Sequence, residues 1–200
     1  MKTILQVNAS ILSNEGQSTR LANDFVASFR TDGKLIVRDL ASEPVPHLDA
    51  KRFGAFLSKP ESRTPEQQSV IDYSDTLIAE LKQADVIVLG LPMYNFGVPS
   101  TLKAYFDHIA RAGVTFRYTE KGSVGLLTGK KAYVFAARGG MYQGTPRDTQ
   151  SPYVRDFLAF LGITDVEFIY AEGLAMGETS RDAGLSKARS RLASLLPAYA

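Results

Sequence analysis

The chain has 200 residues, 44% hydrophobic and 22% charged, a composition suited to one soluble domain with a sizeable core. The formal charge is +2 with Lys and Arg scattered, so nothing demands nucleic acid, although the mild basicity suits small anions. Cysteine is absent and the only histidines are His47 and His108, which excludes disulfides, thiolate catalysis and iron–sulfur ligation and makes a zinc site improbable.

The opening MKTILQVNAS has one Lys and an apolar run too short for a signal peptide, with no small-residue cleavage site after it. It reads as a first strand, TILQVN, in a protein expected in the cytoplasm, and no stretch approaches the roughly 20 apolar residues of a membrane span. The loop Ala9 to Ser18, ASILSNEGQS, is small and hydroxyl-rich. It runs into a helix with Leu21, Phe25, Val26 and Phe29 on one face. Ser18 reads either as the cap of that helix or, with Ser10, Gln17 and the backbone N–H groups, as part of an anion site. No Walker lysine and no GxGxxG accompanies it, which argues against an ATPase loop or a dinucleotide turn.

KLIVRDL is the second strand, and Ala41 to Arg63 reads as a long polar connection with several prolines, His47 among its loop residues. In TPEQ, Thr64 serves as N-cap, Pro65 as first helical residue and Gln67 as reciprocal partner, ahead of Val70, Ile71, Leu77, Ile78 and Leu81 at helical spacing. DVIVLGL is the third strand. The loop LPMYNFGVPS follows, then a helix with Leu102, Tyr105, Phe106 and Ile109 on one face and Gly113 at the position after its C-cap. Val114 to Leu127 reads as a hairpin turned at Glu120 to Ser123. KAYVFAA and DVEFIYA are the fourth and fifth sheet strands. Between them a helix starts near Pro152 with Val154, Phe157, Leu158 and Leu161, and a last helix carries Leu185, Leu192, Leu195 and Leu196.

Five strand–helix alternations predict a doubly wound α/β fold: one domain over residues 1–200, a parallel sheet in the order 2-1-3-4-5 and helices on both faces. Ligands of such sheets bind beyond the carboxyl ends of the strands, at the switch point. The loops leaving strands 1, 3 and 4 are ASILSNEGQS, LPMYNFGVPS and ARGGMYQGTP. The first suits an anion. The second offers Met93, Tyr94 and Phe96 as apolar surface with Asn95 as a polar handle. The third has Gly139 and Gly140, where backbone N–H donors approach a ligand without a side chain between. A flat heteroaromatic ring with a terminal phosphate, such as flavin mononucleotide (FMN), satisfies all three.

The segments PMYNF before a helix, ARAGVTFRYTE, TGKKA before ARGG, and FLGITD before AEG together resemble the bacterial FMN-dependent NADH azoreductases of the flavodoxin-like quinone reductase superfamily, over nearly the whole chain. The resemblance implies that Ser10, Gly16, Gln17 and Ser18 bind the flavin phosphate. It implies that Met93, Tyr94, Asn95 and Phe96 line the ring and that Ala137, Arg138, Gly139 and Gly140 complete the site. The family often has Ser where this chain has Ala137, which removes one side-chain hydrogen bond; the direction of the Arg138 guanidinium is left open. It further implies a homodimer with flavin sites at the interface, and Tyr118 and Phe160 as residues that reach a neighbour's flavin, with core packing as the alternative for Phe160.

By the same resemblance a hydride passes from NADH or NADPH through the flavin to quinones or azo compounds in two half-reactions, with no catalytic side chain of the protein's own. No nucleophile–base pair is evident, and no fingerprint for the adenosine ribose separates the two nucleotides. His108 reads as a structural residue beside Asp107, with proton donation to the acceptor as the lesser reading. The alternative for the whole chain is a flavodoxin-type one-electron carrier.

Overall fold

The computed structural model describes residues 2–28 and 33–195. The core is a five-stranded sheet of β1 (Ile4–Asn8), β2 (Leu35–Asp39), β3 (Val86–Pro92), β6 (Lys131–Ala137) and β7 (Asp165–Ala171). Every neighbouring pair is parallel and the order is β2-β1-β3-β6-β7, the expected 2-1-3-4-5 once the hairpin strands are set aside. β1 and β3 are buried along their whole length, which explains the apolar run of β3; β1 also buries Gln6 and Asn8, where the Gln6 amide donates to the Asn8 Oδ1 at 3.0 Å. β2 is an edge strand and leaves Leu35 and Val37 exposed.

Successive strand residues point to opposite faces, so the core is double. On one face Leu5, Val7, Ile87, Leu89 and Leu91 pack under α3 (Pro65–Gln83), α4 (Ser100–Ile109) and α5 (Gln150–Phe160). On the other, Ile4, Val86, Val88, Tyr133 and Phe135 pack under α1 (Gln17–Ser28) and α6 (Glu178–Leu195), with the Phe25 ring 4.6 Å from that of Tyr133. The two helix readings Phe29 and Leu196 lie outside the described residues.

α3 has the capping box its sequence announces: Thr64 accepts from the Gln67 N–H and the Gln67 side chain accepts from the Thr64 N–H, with Pro65 first in the helix. Four details differ from the sequence reading. Ala41 to Arg63 is not plain connection, for it holds α2 (Ala50–Leu57), capped by Asp49 accepting from the Arg52 N–H. α4 ends at Ile109, and Gly113 sits further on, in the turn that leads to the hairpin, with its N–H on the Phe116 carbonyl. α5 begins at Gln150, which leaves Pro152 inside the first turn, where no helical N–H is needed. The hairpin of β4 (Phe116–Thr119) and β5 (Gly122–Gly125) turns at Glu120 and Lys121, because Gly122 and Ser123 already pair with Thr119 and Tyr118. Among the described residues no helix is long and apolar enough to cross a membrane.

Candidate functional site

The chain reverses its winding between β1 and β3, and the loops leaving β1, β3 and β6 meet there. Direct bonds tie them. The Ser10 hydroxyl, 1% exposed, lies 3.4 Å from the Tyr94 hydroxyl, joining the first loop to the second. The Met93 N–H donates to the Ala137 carbonyl at 3.0 Å, joining the second to the third. A cleft of about 690 Å³ is lined by Ile11, Met93, Tyr94, Asn95 and the start of α4. A smaller one of about 250 Å³ lies between Met93, Asn95, Phe96, Gly139, Gly140 and Tyr142. Met93 and Asn95 border both.

The first loop folds as a short 3-10 turn at Ser13–Glu15, fastened to β2 by a hydrogen bond from the Ser13 hydroxyl to Asp39. α1 then starts at Gln17, so Ser18 is inside the first turn and is not the cap the sequence suggested. The N–H groups of Gln17, Ser18 and Thr19 donate to nothing among the described residues, as expected for a helix start without a capping side chain. The Ser18 hydroxyl is buried and also unpartnered. Gly16 lets this turn close down: a Cβ there would stand 2.2 Å from Ser10 Oγ and 2.6 Å from Ser10 Cβ. Donors without acceptors at the positive end of a helix are suited to an anion.

The second loop is a two-residue turn. Tyr94 and Gly97 exchange both backbone hydrogen bonds, and Asn95 and Phe96 between them have φ of 50° and 64°. This is the type I′ form, which ordinarily takes glycine at its second central residue. A phenylalanine in the left-handed region costs on the order of 1–2 kcal/mol, and such strain gathers at functional sites. Its result here is a Phe96 ring 49% exposed, edge-on to Tyr142 with centroids 5.5 Å apart.

Of the third loop, Gly139 and Gly140 present N–H groups that bond nothing among the described residues, while their carbonyls accept from Ala175 and Gly173. A Cβ on Gly140 would meet the Tyr142 ring at 2.7 Å, so the glycine allows that ring to lie on the backbone. Ala137 contributes its carbonyl and no hydroxyl. The Arg138 guanidinium, 1% exposed, turns away into the fold. It donates to Asp148 at 2.9 Å, Glu172 at 3.1 Å and Ser151 at 2.7 Å, and lies 4.9 Å over the Tyr170 ring. Burial would raise the Asp148 carboxyl, but hydrogen bonds from Arg138 and from the Ser151 N–H outweigh it and hold that carboxyl below its ordinary range.

Tyr118 and Phe160 are not in this cleft within one chain. Phe160 ends α5 and packs against Phe116 at 4.3 Å, which in turn meets Tyr118 edge-on at 5.4 Å. The cleft neighbours the other end of α5, and an eleven-residue helix is about 16 Å long. His108 is also remote from the loops. It is buried between the rings of Phe56 and Tyr73 with Nδ1 on the Ala104 carbonyl at 2.9 Å, and burial lowers its pKa. Tyr142, Thr149 and Gln150 went unread in the sequence. Tyr142 carried a signal, an aromatic two residues after a glycine pair; the other two act across more than fifty residues of chain.

The family described as having a flavodoxin-like fold matches residues 2–196. An FMN-dependent NADH:quinone oxidoreductase of Cellvibrio japonicus is 59% identical over 181 residues, covering 89% of this chain and 91% of that protein. FMN-dependent NADH:quinone oxidoreductase 6 of Burkholderia lata is 54% identical over 196 residues, covering 96% of this chain and 99% of that protein. Among solved structures, the FMN-dependent NADH-azoreductase of Bacillus anthracis in complex with FMN superposes with a TM-score of 0.86 at 27% identity, covering 98% of this chain and 100% of that one.

Proposed function

The chain belongs to the flavodoxin-like-fold family, in its branch of FMN-dependent NADH:quinone oxidoreductases, and from that membership we propose that it binds FMN where its three loops meet and reduces quinones and azo compounds with NADH. The observation that carries the reading is the buried Ser18 hydroxyl beside three N–H groups, all without partners among the described residues, a donor set that a phosphate would satisfy.

Ser10, Gly16, Gln17 and Ser18 would hold the phosphate. Met93, Tyr94 and Phe96 would shield the ring from water, with Asn95 at its polar edge. Gly139 and Gly140 would direct their N–H groups at the edge where negative charge collects on reduction, as fixed donors that need no rearrangement. The bound flavin supplies the hydride chemistry. Ala137 serves through its carbonyl, which holds the Met93 N–H, and Arg138 supports the wall from behind, since its guanidinium is committed to Asp148, Glu172 and Ser151 and its N–H to the Ala171 carbonyl. Nucleotide and acceptor would reach the flavin by turns, which makes the mechanism a two-step one.

The exposed Tyr118, Val124 and Leu126 support a homodimer in which a second copy covers the hairpin and receives Tyr118 and Phe160 near its own flavin. The test of function is anaerobic addition of NADH to the FMN-loaded protein. One equivalent should bleach the visible flavin band, and a quinone should restore it. A band unchanged by NADH would leave the one-electron carrier.

A further inference from the structure

We propose that Gln150, in the first turn of α5, is the positioning residue that holds the aromatic turn in its ring-facing form, an inference that rests on the FMN reading above. Its side chain is 1% exposed and reaches the strained turn from fifty-odd residues away, donating from Nε2 to the carbonyls of Pro92 at 2.8 Å and Gly97 at 2.9 Å. The neighbouring Thr149 hydroxyl donates to the Phe96 carbonyl. The turn is therefore fixed before, within and after its left-handed pair, by donors from one short segment.

The same segment fixes the opposite wall. Asp148 and Ser151 accept from the Arg138 guanidinium, whose other arm meets Glu172. Glu172 in turn accepts the N–H groups of Tyr142 and Gln143, each at 2.9 Å. Those bonds curl the loop beyond Gly140 and bring Tyr142 against Phe96. Asp148 to Ser151 thus spans both walls, yet none of the four lines either cleft.

Few side chains would serve at position 150. Two carbonyls need two N–H donors from one uncharged group at this reach, which is what a Gln amide supplies. Its Oε1 is buried without a partner among the described residues. A buried acceptor left unmatched is unfavourable for folding, so the amide is kept here for its donors.

The test is titration of flavin-free protein with FMN and with riboflavin, for wild type, Gln150→Met, Gln150→Glu and Thr149→Val. Gln150→Met keeps the length and loses the donors. It should weaken FMN and riboflavin by the same factor, about tenfold, because the ring wall changes and the phosphate cradle does not. Thr149→Val, at an exposed position, should weaken both about threefold and guards against a Gln150 variant that fails to fold. Gln150→Glu should bind poorly at neutral pH and recover as the pH falls and the carboxyl gains a proton to donate. A role confined to stability would lower the melting temperature and leave both affinities at wild-type values, and that result overturns the inference. A wild-type chain that binds neither flavin overturns the functional reading, and the inference with it.

Discussion

The cradle at Gly16 to Thr19 and the turn at Tyr94 to Gly97 are neighbours, joined through Ser10 and Tyr94, and they are stabilised in opposite ways. The cradle uses donors that every helix start leaves over, and one glycine lets the backbone close around them. The turn holds two non-glycine residues at positive φ and keeps that form through carbonyls pinned by Thr149 and Gln150. Donors suited to an anion come with helix geometry, whereas the exposed aromatic turn is imposed on the chain by its tertiary structure. In both places polar groups or strain are held ready at the expense of stability, so removing them should firm the empty fold and weaken the ligand.

The largest effect should come from Gly16→Ala, which forces a Cβ into Ser10. Overpacking of this kind costs roughly 1–3 kcal/mol. FMN affinity should fall about a hundredfold and riboflavin affinity far less, as flavin titration with a thermal melt would read.

Next is Ser18→Ala. Losing a hydrogen bond to the phosphate should cost about 1 kcal/mol or somewhat more, roughly a five- to twentyfold weaker FMN complex. Riboflavin binding should stay as it was, and the flavin-free protein should melt slightly higher, because an unpartnered buried hydroxyl is gone. Equal FMN dissociation constants for variant and wild type would take the phosphate away from this turn.

Phe96→Gly should act with the same pair of signs at the ring wall. Relief of the left-handed strain should stabilise the flavin-free protein by about 0.5–1 kcal/mol, less the lost contact with Tyr142. FMN and riboflavin should both bind a few-fold more weakly. A destabilised variant would show that the strain is not where the turn geometry puts it.

The smallest effect is a control far from both regions. Burial lowers the His108 pKa in the folded state, so the unfolded chain takes up its proton first as the pH falls below about 6.5. The stability that neutral His108 supplies is present above that pH and lost below it. His108→Leu should flatten the stability profile below about pH 6.5. The ratio of FMN to riboflavin affinity should not change, and if it did, His108 would be coupled to the site after all.

Much of this was legible in the chain because the signals are local. The apolar runs of β3 and β6 read as doubly buried strands, and Thr64 to Gln67 spelled out a cap within four residues. α2 escaped because it has only eight residues and contains Gly54, and its apolar Phe53 and Leu57, one turn apart, stay exposed instead of joining the core. At the site, the three loops could be read from composition and sheet order. The left-handed pair could not, since Asn-Phe lacks the glycine that would announce it. Nor could the direction of Arg138 or the reach of Gln150, for their partners are set by the packing of α5 on the sheet and by nothing adjacent in sequence.

The most direct measurement is the affinity of the flavin-free protein for FMN set beside that for riboflavin, followed by flavin fluorescence. Three N–H groups and the Ser18 hydroxyl at a buried helix start, without partners among the described residues, predict one FMN per chain, held at least about a hundredfold more tightly than riboflavin. Equal affinities, or no saturable binding of either, would contradict the account.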